Sequence, residues 1–361
     1  MEKYRVGIVG ATGMVGQRFI SLLKDHPWFE VNCVAASARS AGKTYREAVG
    51  ERWAFSWEIP EKVAGMTVVD AADIDEVRKH VDFVFCAVDM KKDEIRALEE
   101  AYAKHEIPVV SNNSACRGIE DVPMVVPEIN ADHLAVIEAQ KKRLGTKNGF
   151  IAVKPNCSIQ SYVPALTPLL DFEPEKVSVC TYQAISGAGK TFKTWPEMVD
   201  NVIPYIGGED EKSENEPLKL WGHVEDGKIV NAALPVISAQ CLRVACSDGH
   251  MAAVSVSFKK KPTIEQIKER WANYETEAQR LELPSAPKPF LQYFEDPSRP
   301  QTRLDRDFQN GFGVSIGRLR EDKLFDYRFV CLSHNTVRGA AGGVILTAEL
   351  LCRKGYIPHR V

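Results

Sequence analysis

Two side chains in this sequence stand out as able to make and break a bond to a carbonyl carbon. The first is the cysteine in Pro155-Asn156-Cys157-Ser158, which follows the apolar run Phe150-Ile151-Ala152-Val153, a short strand by its pattern. Apolar residues at Ile159, Tyr162/Val163, Leu166 and Leu169/Leu170 follow, and that spacing predicts a helix opening directly after the cysteine. Asn156 is a good N-cap, which places Cys157 in the first turn. Unpaired N–H groups and the positive end of the helix dipole favour a thiolate there, lowering a pKa otherwise near ~8.5, and the same N–H groups would hold an oxyanion. An arbitrary cysteine more often packs as a small apolar side chain; the strand-to-helix junction sets this one apart. The second is His250, which ends the turn Ser247-Asp248-Gly249 and opens a strand, whereas most other histidines lie in charged segments. A thiolate adds to an aldehyde to give a thiohemiacetal that passes hydride to a nicotinamide, or, in reverse, accepts an acyl group that is reduced to the aldehyde. Either direction needs a proton donor and acceptor beside the sulfur, and His250 is the leading candidate.

The elements that must position this chemistry begin at the N-terminus. Arg5-Val6-Gly7-Ile8-Val9 is a strand, and Gly10-Ala11-Thr12-Gly13-Met14-Val15-Gly16 is a glycine turn opening a helix through Phe19, Ile20, Leu22 and Leu23. Strand, glycine turn and helix form a dinucleotide-binding arrangement, with pyrophosphate at the helix N-terminus, although the spacing is G-x-x-G-x-x-G rather than G-x-G-x-x-G. After the second strand, Val31–Ala36, an NAD site carries an acidic residue; here the chain reads Ser37-Ala38-Arg39-Ser40-Ala41-Gly42-Lys43. Hydroxyls and cations without a carboxylate suit a 2′-phosphate, so Ser37, Arg39 and Ser40 point to NADP. Strands at 82–88 and 107–111, with a charged helix at 92–104 between them, extend a parallel, doubly wound sheet to about residue 155. A polar loop, Ser111 to Gly118, lies at a strand's C-terminal edge, where such sheets bind ligands, and Arg117 there is placed to grip an anion.

Beyond Cys157 the pattern changes. Alternating strands at 176–185, 236–246 and 251–259 come with few helices, the last two joined by Ser247-Asp248-Gly249 as a hairpin-like connection. Further strand at 313–317 and 326–332 completes a mixed or antiparallel sheet in a second domain. Thr263-Ile264-Glu265-Gln266 is a capping box. A final helix from about Thr336 to Leu351 opens on Arg338-Gly339-Ala340-Ala341-Gly342-Gly343 and returns to the first domain. The expected fold is thus an N-terminal Rossmann-like α/β domain, 1–155 completed by 336–361, plus an α+β domain with a mixed sheet, 156–335, whose catalytic and dimerisation roles are what the family resemblance given below implies. At 361 residues, 44% hydrophobic and 26% charged, the chain suits two soluble globular domains. A net charge of −3 gives no pull toward nucleic acid or anionic membrane. No signal peptide or spanning run is read, and nine cysteines without a C-x-x-C pair indicate free thiols in a reducing, cytoplasmic setting. No Cys/His spacing suggests a metal.

Four separated motifs carry a family resemblance: Gly10 to Arg18, Pro155 to Ser158, Gln183-Ala184-Ile185-Ser186-Gly187-Ala188-Gly189, and Arg243 with His250. In this order they resemble aspartate-β-semialdehyde dehydrogenase of the archaeal and fungal-type branch, over nearly the whole chain. The resemblance implies NADPH-dependent reductive dephosphorylation of β-aspartyl phosphate to aspartate semialdehyde through a cysteine thioester, in lysine, diaminopimelate, threonine and methionine biosynthesis. It implies Cys157 as nucleophile, His250 as its acid/base partner, Gln183 and Asn156 beside the acyl group, and Arg243 on the substrate α-carboxylate. Glu209 would take the amino group, and Lys212 with Arg117 the phosphate. Gly10, Thr12, Gly13, Met14, Val15, Ser186 and Gly187 would line the cofactor, with Asn335 at the nicotinamide. A homodimer or homotetramer is expected. Two departures stand out: Ile159-Gln160 after Ser158, and Ser114-Ala115-Cys116 before Arg117. Malonyl-CoA and succinyl-CoA reductases share the cysteine chemistry, but their substrates lack the amino group that gives Glu209 a purpose. N-acetylglutamyl-phosphate reductase and a non-catalytic NADP sensor fit the motifs less well.

Overall fold

The computed structural model describes residues 2–359; residues 1, 360 and 361, which the domain division above assigns to the first domain, lie outside the described residues. The first sheet comprises β1 (Tyr4–Val9), β2 (Phe29–Ala36), β3 (Val69–Asp70), β4 (Phe83–Cys86), β5 (Val109–Ser111) and β6 (Ile151–Val153). All are parallel, in the order β3-β2-β1-β4-β5-β6. Phe83-Val84-Phe85-Cys86 is buried at every position, as a strand covered on both faces must be. The order reverses across β1 and β4, so their C-terminal ends bound the crevice where such sheets bind ligands. Gly10 follows β1 there with φ +90°, and a Cβ on it would lie 2.3 Å from the Ala87 carbonyl oxygen, so only glycine lets the turn leave the sheet at this point. The helix Met14–Leu23 starts four residues on.

The second sheet holds β7 (Pro174–Gln183), β8 (Val202–Ile203), β11 (Val236–Val244), β12 (His250–Phe258), β13 (Leu291–Phe294), β14 (Val314–Glu321) and β15 (Tyr327–Ser333); β9 (His223–Glu225) and β10 (Lys228–Val230) form a small separate hairpin. Its order is β13-β14-β15-β12-β7-β11-β8. The hairpin expected between β11 and β12 is therefore absent: β7 lies between them, parallel to β11 and antiparallel to β12. Alternation marks a strand and its buried face but not its neighbour, and the Ser247–Gly249 turn spans the end of β7 instead of pairing its flanks. The crossing has a consequence for the site. Gln183 at the end of β7 pairs with Arg243, while β12 opens at His250 beside Tyr182's partner Met251.

The helix expected after Cys157 is also different. Ser158–Gln160 is a single 3₁₀ turn, Val163–Leu166 a short α-helix and Thr167–Phe172 a second 3₁₀ piece. Pro164 and Pro168 interrupt the ladder of backbone bonds that a continuous helix needs, although the apolar spacing still buries Ile159, Tyr162, Val163, Leu166 and Leu169. The Thr263 and Gln266 capping box is formed as read. At the C-terminus, a break at Ala340 precedes the helix Gly342–Arg353, whose Val344, Ile345, Leu346 and Leu350 pack in one core cluster with Val6, Ile8, Phe83 and Phe85 of the first sheet. Among the described residues no helix is long and apolar enough to cross a membrane.

A buried ion pair ties these layers together. Arg338 donates to both carboxylate oxygens of Glu128 at 2.8 and 3.3 Å and to the Phe312 carbonyl at 2.9 Å, with its guanidinium 4.4 Å over the Phe290 ring. Glu128 precedes β6, whereas Phe290 and Phe312 come just before β13 and β14 of the second sheet. Removing one member of a buried pair strands the other charge out of water, so Glu128→Ala should cost on the order of 3–5 kcal/mol. Chemical denaturation should show this as a lowered midpoint; an unchanged midpoint would mean the pair contributes nothing to stability.

Candidate active site

Cys157 stands at the junction of the two sheets, with backbone φ −70° and ψ −30° and its side chain half-buried. Asn156 shapes the junction: its Oδ1 accepts the Ser158 N–H at 2.6 Å, and its own N–H donates to Glu216 Oε2 at 2.5 Å. The turn behind the sulfur is three residues long, and the thiol is not held low. Removal from water raises its pKa, Glu209 raises it further, and Lys154, Arg243 and Arg117 pull in the other direction without prevailing. The expected lowering by a helix N-terminus is thus overturned, because two prolines break the helix that was to supply the dipole.

His250 reaches the sulfur: Nε2 lies 3.5 Å from Cys157 Sγ. Its Nδ1 accepts the Ala184 N–H at 3.1 Å, and since an N–H can only donate, the neutral ring carries its proton on Nε2, toward the sulfur. Burial first, then the neighbouring Arg243, depress His250 to about 3, so the imidazole is neutral across the physiological range. Gly187 makes room for this arrangement. A Cβ there would come within 2.8 Å of Arg243 Nη1 and 3.0 Å of the His250 ring.

The remaining polar groups form one network. Glu209 opens the helix Glu209–Leu220 and is itself buried. It accepts from Asn156 Nδ2 at 2.9 and 3.0 Å, from Lys212 Nζ at 2.8 Å and from Gln183 Nε2 at 3.4 Å. Burial pushes its carboxyl up, but Lys212, Asn156 and Gln183 together outweigh that and hold it below the ordinary range. Arg243 is buried and donates to the Ala184 carbonyl at 2.7 Å, with no carboxylate partner among the described residues. Arg117 donates to Glu216 at 3.0 Å and to the Asn112 carbonyl at 3.1 Å, leaving its Nε without an acceptor. Asn335 joins two loops, accepting the Gly249 N–H at 2.7 Å and donating to Ser186 Oγ at 2.8 Å.

A cavity of about 440 Å³ runs from the glycine turn to the cysteine. Met14 and Val15 line one end, Ser186, Gly187 and Asn335 the middle, and Cys157, Asn156, Arg117, Glu209 and Lys212 the other. Gln183, Arg243 and His250 stand immediately behind this wall, bonded to or touching its residues. Gly10, Thr12 and Gly13 belong to the turn before Met14, outside the lining. Ser37 and Arg39 are exposed at the C-terminal end of β2, and Ser40 is buried under the turn they form.

Three functional-looking side chains were not anticipated. Glu216 bridges Arg117 and the Asn156 backbone. Lys219 donates to the carbonyls of Arg117, Ile119 and Val122 and so holds the Arg117 loop. Lys154, buried to 2% exposure, lines the cavity beside Cys157. A signal existed for Glu216: Glu209, Ser213, Glu216 and Leu220 fall on one helical face, with polar residues where an amphipathic helix would place apolar ones.

Comparison with known proteins agrees with this architecture. The family model for the semialdehyde dehydrogenase NAD binding domain matches residues 5–137, and that for the semialdehyde dehydrogenase dimerisation domain matches residues 166–338. The chain is similar to aspartate-semialdehyde dehydrogenase of Archaeoglobus fulgidus, 43% identical over 98% of this chain and 100% of the relative. It is likewise similar to that of Schizosaccharomyces pombe, 45% identical over 98% and 99%. The crystal structure of aspartate semialdehyde dehydrogenase with NADP from Candida albicans superposes with a TM-score of 0.89, at 38% identity, covering 99% of this chain and 100% of that one. With both domains matched and full-length relatives above 40% identity, the chain belongs to the aspartate-semialdehyde dehydrogenase family.

Proposed function

We propose that Cys157 is the acyl-accepting nucleophile with which this chain reduces β-aspartyl phosphate to aspartate semialdehyde. The observation that carries the assignment is the set of charges around the sulfur. The substrate offers a carboxylate, an ammonium and a phosphate. Arg243, buried with no ion-pair partner among the described residues, suits the α-carboxylate; Glu209, kept ionised, suits the ammonium; Arg117 and Lys212 suit the phosphate. A CoA thioester has no amino group for Glu209, and the relatives do not favour that alternative.

In this reading the thiolate of Cys157 attacks the acyl carbon, the carbon–sulfur bond forms as the bond to phosphate breaks, and phosphate leaves with the electron pair toward Arg117 and Lys212. Asn156 and Gln183 hold Glu209 and the acyl group in place. Once the acyl carbon has been reduced, Nε2–H of His250 donates a hydrogen bond to the oxyanion on that carbon, and the oxyanion re-forms the carbonyl as the carbon–sulfur bond breaks and its electron pair returns to sulfur as thiolate. The cofactor is NADP, which the Candida albicans structure contains. The turn fits it: Gly10 and Gly13 present no side chain before the Met14–Leu23 helix, and Met14 and Val15 lead into the cavity that ends at Cys157. Bound there, the nicotinamide supplies the hydride. Ser37 and Arg39 are the exposed groups available to its 2′-phosphate. Ser186, Gly187 and Asn335 face it along the cavity.

Self-association as a homodimer is supported by exposed apolar side chains at one edge of the second sheet, among them Val202, Val236 and Leu234. A tetramer would be built from such dimers. All nine cysteines are unpaired, which fits a reducing, cytoplasmic setting.

Cys157→Ala should abolish the thioester, seen as loss of the acyl adduct by mass spectrometry, together with nearly all turnover. His250→Asn should cost about 10²–10⁴ in rate. Because His250 is held near pKa 3, the wild-type pH–rate profile should show no break near 6.5 that disappears in this variant. An adduct on Cys180 or Cys241 instead would overturn the assignment.

Arg39→Ala should weaken NADP by ~1.5–3 kcal/mol and leave NAD nearly unchanged, the loss of one charge-assisted contact. Equal weakening of both, measured by titration, would remove the loop from phosphate recognition. Lys212→Ala should raise the phosphate requirement of the oxidative reaction more than that for aldehyde, whereas Glu209→Gln should impair substrates carrying the amino group. Indifference to Glu209 combined with activity on malonyl-CoA would reverse the substrate class.

A further inference from the structure

Nothing assigned so far removes the proton from Cys157. His250 cannot receive it at Nε2, which already carries a proton in the tautomer fixed by the Ala184 N–H. Of the bases lining the cavity, Lys154 is the one that is fully buried: Lys190 is exposed, Asp248 is half-buried, and Lys212 is bound to Glu209. It directly follows β6, where its N–H donates to the Ser111 carbonyl at 2.9 Å, and its side chain is 2% exposed. Its Nζ donates to the Pro155 carbonyl and forms no ion pair among the described residues. An ammonium has three donors, and one so deeply buried requires an anion or must lose its proton.

The carboxylates nearby are committed. Glu209 is held by Lys212, Asn156 and Gln183, and Glu216 by Arg117 and the Asn156 N–H. We propose that Lys154 is the counter-ion of the Cys157 thiolate: the two side chains line the same cavity, and the proton released as the S–H bond breaks is taken up by the amine as an N–H bond. Thiol with amine and thiolate with ammonium carry the same net charge, so the nucleophile forms without adding net charge to a site that disfavours it.

The groups facing the pair support this balance. Burial first, then Arg117, lower Lys154 to about 7, while Cys157, Glu216 and Glu209 act to raise it. Among the groups that pull the Cys157 thiol down, Lys154 comes before Arg243 and Arg117. The inference rests on Cys157 being the nucleophile proposed above, and the test separates the two.

The experiment is alkylation of Cys157 by iodoacetamide, a neutral reagent, from pH 5 to 10 in the full-length protein, with the labelled peptide identified by mass spectrometry. In Lys154→Met the midpoint of the rate profile should move up by at least about one unit, slowing alkylation at pH 7 about tenfold, and converge with wild type at the alkaline limit. An unchanged midpoint would overturn the pairing. So would an effect confined to the KM for phosphate, which would make Lys154 a phosphate ligand. Should Lys154→Met not fold, ¹³Cε-lysine NMR of the wild-type and Cys157→Ala proteins gives the reciprocal measurement: Lys154 should titrate at lower pH without the sulfur, and an identical titration would overturn the proposal. Full turnover after complete alkylation of Cys157 would instead sink the nucleophile assignment.

Discussion

Glu209 is kept as a carboxylate away from water by Asn156, Lys212 and Gln183, and the rest of the site is arranged around that fixed charge. A buried carboxylate is costly unless its lone pairs are filled, and here the donors come from three different parts of the chain. Asn156 is the residue before the nucleophile, Gln183 ends β7, and Lys212 sits one turn along Glu209's own helix. Meeting the carboxylate's needs therefore fixes the sulfur relative to both sheets. The same helix supplies Ser213 to Ser158 at 2.9 Å and Glu216 to Arg117, so one element carries the second layer of support on two sides of Cys157. With Glu209 and Glu216 both engaged, Arg243 and Lys154 are left without carboxylate partners among the described residues. The site thus holds more positive than negative side chains before an anionic substrate arrives.

The insertion of β7 between β11 and β12 turns this electrostatic arrangement into geometry. Gln183, Arg243 and His250 come from three strands whose ends lie side by side, so small changes in one loop do not separate them. A direct β11–β12 hairpin would put Arg243 and His250 on neighbouring strands and push Gln183 outside. The parallel pairing of β7 with β11 also lets Ala184 serve both partners, its N–H holding the His250 ring and its carbonyl holding the Arg243 guanidinium. One residue thereby sets the imidazole tautomer and the aim of the cation.

The glycine turn, the parallel order of the first sheet, the Asn156–Cys157 junction and the Thr263 capping box were all legible in the sequence, because each depends on local residue types. What could not be read depends on contacts distant in the chain. Strand alternation is silent on neighbours, so the β7 insertion was invisible. Apolar spacing after Cys157 outweighed Pro164 and Pro168, whose missing N–H groups split the expected helix and removed the dipole argument for the thiol. Glu209 and Lys212 lie in a charge-rich run that by itself reads as solvated surface, so only the family resemblance marks them, and it carries no mark for Glu216 further along the same helix. Lys154 had a visible signature, a cation abutting the apolar run 150–153, but only burial on the cavity wall gives it meaning.

The thiol raised by burial and the imidazole depressed to about 3 bear on how such a site is kept from side reactions. A cysteine held permanently as thiolate by a charged histidine would be nucleophilic and oxidisable at all times. Here both partners rest neutral, and ionisation is favoured only when something compensates the charge within the same enclosed space. Gly187 and Gly339 leave the sulfur and the ring open to a substrate of the right shape: a side chain at Gly339 would sit 2.9 Å from Cys157 Cβ, as one at Gly187 would press on His250. Seating an anionic substrate against Arg243, Arg117 and Lys212 neutralises the cations that otherwise compete with Lys154 for negative charge. Occupation of the cavity and proton movement at the cysteine are then linked through the shared field of those four side chains.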